Sequence, residues 1–391
     1  MKASSLHPLR LILILILGII AGCSRGPALS PEELAEPLQI RAVDKRPVQV
    51  WRTKLPSPPS ALQPLSPNAL LITTHRGELY RLELETGERK SPIHQPLRKA
   101  ITAELLHREE AHLFIASAWD NELRAYHLLE GKAMWKRKAA GITGQMALSN
   151  GLLFTTSISG EVAAYNISDG SLVWWSRLPG RIYQGVWNFD HLVLVLDDQG
   201  SLYAFETRPP SGQSSDPEGK HPHQWKRELP VSPNATIAGQ REKLVIADSQ
   251  GKLLSMNPLD GQMHFQVVLD APIYSRPLVT DSLIVVATAT GEIIALHHDD
   301  GHTIWRVPGE GLVKHPILAN LNPEESQSLL VTFAKGLLLA LDLRTGRELW
   351  RYDMEKPVGL VSLIPDGLVL TDRRNVLYGL RLTKSAIQVE E

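Results

Sequence analysis

The densest cluster of groups able to ligate a metal lies near residue 300. His297-His298-Asp299-Asp300 with His302 puts imidazoles and carboxylates within six residues, a donor set that suits a zinc-type ion. The same stretch stands where sister segments read LETG or LRTG, so a solvent-facing hairpin turn accounts for it and no metal site is expected. His221-Pro222-His223 ends a polar run, RPPSGQSSDPEGKHPH, that reads as a flexible loop. Gly309-Glu310-Gly311 lacks the third glycine and the following helix of a phosphate cradle, and neither a Gly-x-Ser-x-Gly elbow nor a His-Glu-x-x-His pair occurs. No catalytic residue is therefore expected. Of nine tryptophans, Trp135, Trp174, Trp305 and Trp350 recur at one position of a repeat and are expected to pack. Trp119, Trp175 and Trp187 fall outside that register and suit a protein-contact surface, where aromatic side chains are enriched.

The sole cysteine, Cys23, has a different chemistry. Lys2 and Arg10 precede an apolar run from Leu11 to Ile20, and Ala21-Gly22 lead into Cys23-Ser24. A basic start, a short apolar core and small residues describe a secretory signal, too short to span a bilayer comfortably. Ile20-Ala21-Gly22-Cys23 resembles the bacterial lipobox, in which cleavage leaves the cysteine as an acylated N-terminus. That makes 1–22 a signal peptide and Cys23 the expected lipidation site, with several acyl chains giving stable anchoring. Ser24 is not the Asp that marks inner-membrane retention, so an outer-membrane address is expected. Residues 23–47, rich in Pro, Ala and charge, read as a tether, with a short helix possible around Glu32–Leu38. With 41 basic and 42 acidic residues the chain is nearly neutral, which argues against nucleic acid as a partner.

Stepping along the chain, one unit recurs eight times, starting at Gly77, Asn121, Gly160, Gly200, Gly251, Gly291, Gly336 and Asn375. Every start is Gly or Asn, the types that tolerate positive φ at a hairpin turn. Residues two and five places on are apolar, as Val162 and Tyr165 or Ile293 and Leu296. The residue four places on is small in all copies but Arg81, which points to a crowded face approached by a neighbouring sheet. Ten places on, six copies carry a second Gly, and four further lies the Trp, with Phe265 and Ser91 in weaker copies. An apolar strand such as HLVLVLDDQ precedes each start. Strand, strand, turn, strand, Gly turn and Trp strand in about 40 residues is the arithmetic of a propeller blade.

The expected fold is thus all-β, an eight-bladed β-propeller of four-stranded antiparallel blades spanning 48–383, followed by a tail at 384–391. The last unit ends after its third strand, and Val48-Gln49-Val50-Trp51-Arg52 is an unpaired copy of the Trp strand. That N-terminal strand is expected to close the ring and remove its exposed edges.

The Gly-to-Gly-to-Trp pattern resembles the tryptophan-docking repeats of quinoprotein dehydrogenases and their non-enzymatic relatives. With the lipobox, the tether and the opening Trp strand, the arrangement resembles the BamB family, the lipoprotein component of the outer-membrane β-barrel assembly machinery. The resemblance implies a non-enzymatic, cofactor-free scaffold facing the periplasm, anchored by lipid in the outer membrane. It also implies binding to the barrel-forming subunit and other subunits of that machinery. Family members carry a Leu-Ser-Leu-Arg stretch entering the fourth blade, where this chain has Arg181-Ile182-Tyr183-Gln184-Gly185. Arg181, Tyr183 and Gln184 stand in its place, and with Trp187 they are the expected protein-binding residues. A tethered propeller for another periplasmic or cell-wall partner is the alternative. A quinone-dependent dehydrogenase is a further one, opposed by the lack of adjacent cysteines and of long covering loops.

Three units are lengthened, at His107–Ala111, Arg208–His223 and Asn320–Ser328. In a four-stranded antiparallel blade these fall in first-to-second or third-to-fourth turns, which share one side. The opposite side stays compact, and contact with the partner is expected there, near Tyr183 and Trp187.

Overall fold

The computed structural model describes residues 45–384 except 92–98, 108–109, 118–120, 140, 143, 209–220, 234, 241, 310, 320–326 and 366. Cys23, the signal and tether residues 1–44, Trp119 and the C-terminal residues 385–391 therefore lie outside the described residues. Within them, 32 strands form eight antiparallel sheets of four. Seven sheets are built from consecutive strands. In the eighth, Lys45–Lys54 pairs with Val376–Lys384, which continues to Gly367–Asp372 and Val358–Ile364. The ring closes as the unpaired Trp strand suggested, with the closing strand starting three residues earlier than expected.

Closure reproduces the atomic pattern of an ordinary blade. In blade 3 the amide of Leu178, four residues past Trp174, donates to the carbonyl of the starting Gly160 at 2.8 Å. At the closure the amide of Leu55, four residues past Trp51, donates to the starting Asn375 at 2.8 Å. All eight starting residues adopt positive φ, from 51° at Asn121 to 125° at Gly336. A side chain three places earlier closes many of these turns: Asp197 Oδ1 accepts from the amides of Gln199 and Ser201, and Asp248 Oδ1 from those of Gln250 and Lys252.

Burial follows position within the blade. Second strands such as Leu192–Leu196 and Leu283–Ala287 are buried at every residue, because neighbouring blades cover both faces. Fourth strands alternate, as in Thr303–Val307, where Trp305 faces inward between exposed neighbours. The core is accordingly divided into eight apolar clusters, one at each seam between adjacent blades.

The seam tryptophans are held in slots, most of them with two walls. The tryptophan's own blade supplies the small residue directly opposite on the third strand: Ala125 faces Trp135, Ala164 faces Trp174 and Gly379 faces Trp51. The crowding inferred at that small position thus comes from the tryptophan of the same sheet together with the neighbouring blade packed on that face. At Trp51, Trp135, Trp225 and Trp305 the next blade supplies a Gly turn and a carbonyl. Trp135 Nε1 donates to Ile167 O at 2.8 Å, and a Cβ on Gly170 would lie 2.6 Å from the indole. The same bond runs from Trp51 to Leu84 O, Trp174 to Thr207 O, Trp225 to Leu259 O and Trp305 to Leu343 O. Trp225 lies 25 residues after its start instead of the usual 14 because of the insertion, so spacing alone passed it over.

Candidate protein-binding surface

Strand connectivity gives the propeller two unlike sides. On the crossing side, most described turns between second and third strands are tied to the segment that enters the same blade. The amide two places before the start donates to a crossing carbonyl in blade after blade: Ile158 to Gly141, Asp198 to Arg181, Ala289 to Pro272 and Ala334 to Leu312. The crossings into blades 3 and 4 are also bonded to each other, Val186 N to Gln145 O at 2.9 Å and Gln145 N to Gln184 O at 3.2 Å. These bonds fix short irregular segments at the surface, the setting in which binding residues are held by a rigid scaffold.

Arg181, Tyr183 and Gln184 all fall on this side, in the crossing between Leu172–Arg177 and Trp187–Phe189. Arg181 is clamped at its backbone, donating to Asp198 Oδ1 at 2.8 Å and accepting from the Asp198 amide at 2.8 Å, while its exposed guanidinium reaches the Tyr183 hydroxyl. Tyr183 is exposed and Gln184 half-buried. Trp187 departs from expectation. It begins the first strand of blade 4 and is half-buried, with the Arg276 guanidinium 4.5 Å from its ring centroid and its Nε1 lacking a hydrogen-bond partner among the described residues. Arg276 belongs to the crossing into blade 6, so the pair spans blade 5 and braces the ring from within; burial lowers the guanidinium from its ordinary value. Trp175 is half-buried too, against the seam of blades 2 and 3, and neither residue is an exposed contact.

The apolar groups that do face solvent here were not singled out by the sequence. Ile158, Tyr274 (59% exposed) and Leu312 (52%) join Tyr183 along an arc from blade 3 to blade 7. They come from different crossings and share a side only after the ring closes. At the closing blade the same side carries a cavity of about 340 Å³ lined by Arg52, Lys356, Arg373, Arg374, Asp372 and Tyr378. Its one carboxylate is engaged: Asp372 accepts from the amides of Arg374 and Val376 and from the Tyr378 hydroxyl. Burial pushes this carboxyl up, but those bonds and nearby Lys54 outweigh it and hold it below its ordinary value. The cations are left to dominate the cavity.

Nearer the axis, Glu104 in the first strand of blade 2 accepts from Gln63 of blade 1 at 3.1 Å. Burial raises its carboxyl, against the pull of the bonds from Thr73 and Gln63.

The insertion side is built differently. The lengthened turns of blades 2, 4 and 7 leave from it, although residues 108–109, 209–220 and 320–326 lie outside the described residues. Of the segment read as a flexible loop, 209–220 lie outside the described residues, and His221 near its end is packed. It is 3% exposed, its ring centroid lies 4.6 Å from that of Trp174, and its amide donates to Trp175 O at 2.7 Å. Burial lowers this imidazole, so the neutral ring lids the tryptophan slot. The turn at His297–His302 is a hairpin turn as expected, with Asp300 Oδ1 accepting from the His302 amide at 3.2 Å.

A family model described as outer membrane protein assembly factor BamB matches residues 119–209 and 216–376, well over half of the chain. Among curated relatives, outer membrane protein assembly factor BamB of Francisella tularensis is 34% identical over 102 residues, 25% of this chain and 21% of that one. The protein of the same name from Burkholderia pseudomallei is 23% identical over 140 residues, 36% of each. The chain thus spans well under half the length of these relatives. The crystal structure of BamB from Moraxella catarrhalis superposes with a TM-score of 0.66 at 16% identity, covering 86% of this chain and all of that one, a likeness of fold.

Proposed function

The chain belongs to the family of outer membrane protein assembly factor BamB, and from that premise we propose that it is a non-enzymatic scaffold for assembling β-barrel proteins into the outer membrane. In this reading Cys23 carries the lipid, the propeller faces the periplasm, and the crossing side docks the barrel-forming subunit of the assembly machinery.

One observation carries the choice of side. Ile158, Tyr183, Tyr274 and Leu312 are exposed on segments that hydrogen bonds already hold in place, so binding orders little backbone and the apolar area is available to a partner. Tyrosine suits such a surface because it offers large contact area and a polar tip at low entropic cost. Arg181 and the cationic cavity at blade 8 give the arc a charged rim, which favours an acidic partner surface and speeds its encounter.

The test is affinity purification from solubilised membranes. The native chain is expected to recover the barrel-forming subunit. Tyr183→Asp combined with Leu312→Asp is expected to lose most of it with an unchanged melting temperature. Leu259→Asp, an equally exposed change on the insertion side, is expected to recover it as before. Full recovery with the crossing-side pair, or loss with Leu259→Asp alone, would reverse the assignment of sides.

A further inference from the structure

Blade 2 brings together a group of side chains that the spacing of the sequence did not single out. His107 ends the first strand, Glu110 lies in the turn after it, and His112 opens the second strand. His107 and His112 are direct cross-strand partners, as are His112 and His127, so three imidazoles form one row across three strands. Ring centroids are 6.3 Å apart for the first pair and 5.5 Å for the second. Glu110 Oε2 lies 3.1 Å from His112 Nδ1 and 3.6 Å from His107 Nδ1. One donor atom from each of the three residues can be drawn within 4.8 Å of the other two.

The geometry assigns to His107, Glu110 and His112 a three-ligand site for a divalent transition-metal ion of the zinc class. Two imidazole nitrogens and one carboxylate oxygen are a borderline donor set, and three protein ligands leave a fourth tetrahedral position for water or another ligand. The 3.6 Å Glu110–His107 separation is the edge of a tetrahedron with bonds of about 2.0–2.2 Å, and the 3.1 Å Glu110–His112 separation falls only a little short of one. His112 Nδ1 is buried and faces Glu110 Oε2 at 3.1 Å, the carboxylate with which it would share the ion. His127 flanks the site instead of joining it, since its Nδ1 accepts from the Glu130 amide at 3.3 Å.

The histidine–aspartate turn of blade 6 is the natural control, because it also brings three donors together. There the donors are engaged: Asp300 closes the turn, His297 Nδ1 accepts from the Asp299 amide, and the Lys243 ammonium sits on Asp299. At Asp299 a cation already occupies the position a metal would need, and Asp300 is committed to the amide and imidazole of His302.

The full chain, stripped with a chelator, would be titrated with Zn²⁺ and with Co²⁺, whose visible absorption reports tetrahedral nitrogen and oxygen ligation. One ion per chain at neutral pH and a rise in melting temperature with Zn²⁺ are expected. Glu110→Ala and His107→Ala, both outside the core, should each weaken binding by at least about tenfold and abolish the thermal shift. His302→Ala should change neither. A native chain that binds neither ion, binding unaltered in Glu110→Ala and His107→Ala, or binding lost in His302→Ala would each overturn the assignment. His112→Asn is informative if it folds, but the other two variants decide without it.

Discussion

Blade 1 is joined to its two neighbours by different means. On the blade 8 side, Trp51 is 8% exposed and lies between Gly379 of its own sheet and the Gly87 turn, donating to Leu84 O at 2.7 Å. On the blade 2 side no tryptophan is present. Among the described residues the fourth strand of blade 1 is Arg89–Lys90, and Arg81 stands where other blades have a small residue. That seam is held by aliphatic groups, among them Leu65, Leu71, Leu113, Ile115 and Leu128, with the ring of Tyr126. The tryptophan slot is thus a self-contained joint that works even when its strand comes from the far end of the chain. Where it is missing, dispersed packing serves.

The largest expected loss lies at the tryptophan seam. Trp51→Ala removes a buried indole worth about 3–5 kcal/mol and a hydrogen bond worth about 1 kcal/mol, and it loosens the only strand that closes the ring. Urea denaturation should show a lowered midpoint; a loss under about 1 kcal/mol would mean that strand pairing alone holds the closure. Next comes Leu113→Ala at the other seam, expected to cost about 2–4 kcal/mol because a fully buried leucine leaves a cavity. A cost equal to that of Trp51→Ala would erase the distinction between concentrated and dispersed joints.

Gly87→Ala probes the slot from its outer wall. The residue has φ of 72°, and a Cβ would stand 2.7 Å from the Trp51 ring. A loss of about 1–3 kcal/mol is expected from backbone strain and overpacking together. In the Trp51→Ala background the overpacking part should vanish, leaving about 1 kcal/mol. Strict additivity in this double-mutant cycle would show that the ring and the turn do not press on one another.

The repeat was legible because its signals are local: Gly or Asn at each start, an apolar residue two places on, a Gly turn and a Trp at fixed spacing. Trp225 escaped because an insertion within its turn destroyed the spacing while the slot itself stayed intact. His221 was misread because a polar run says nothing about what its last residue stacks on. The candidate surface was half legible. Connectivity puts Arg181, Tyr183 and Gln184 on the crossing side, but Tyr274 and Leu312 join them only through the three-dimensional ring. Trp187 shows the limit of reading aromatics by register, since an off-register tryptophan served the interior. The histidine row of blade 2 depended on strand pairing, which places His127 beside His112 across fifteen residues of sequence.

The smallest effect concerns acid. Asp372 lies in the turn of blade 8 that receives the N-terminal strand, with Leu55 bonded to Asn375 and Lys54 to Arg374 O. Its folded pKa is depressed below the ordinary value of 3.8, so its contribution to stability is fully present above the unfolded pKa. That contribution is lost as pH falls through the folded pKa, when the carboxylate gains a proton and its three acceptor bonds weaken. Asp372→Asn should therefore be less stable than the native chain near neutral pH, and the gap should narrow below about pH 4. Native and variant chains unfolded in urea at stepped pH give the difference directly. A gap that widened on acidification would require a raised pKa, and the closing turn would then be held by something other than this carboxylate.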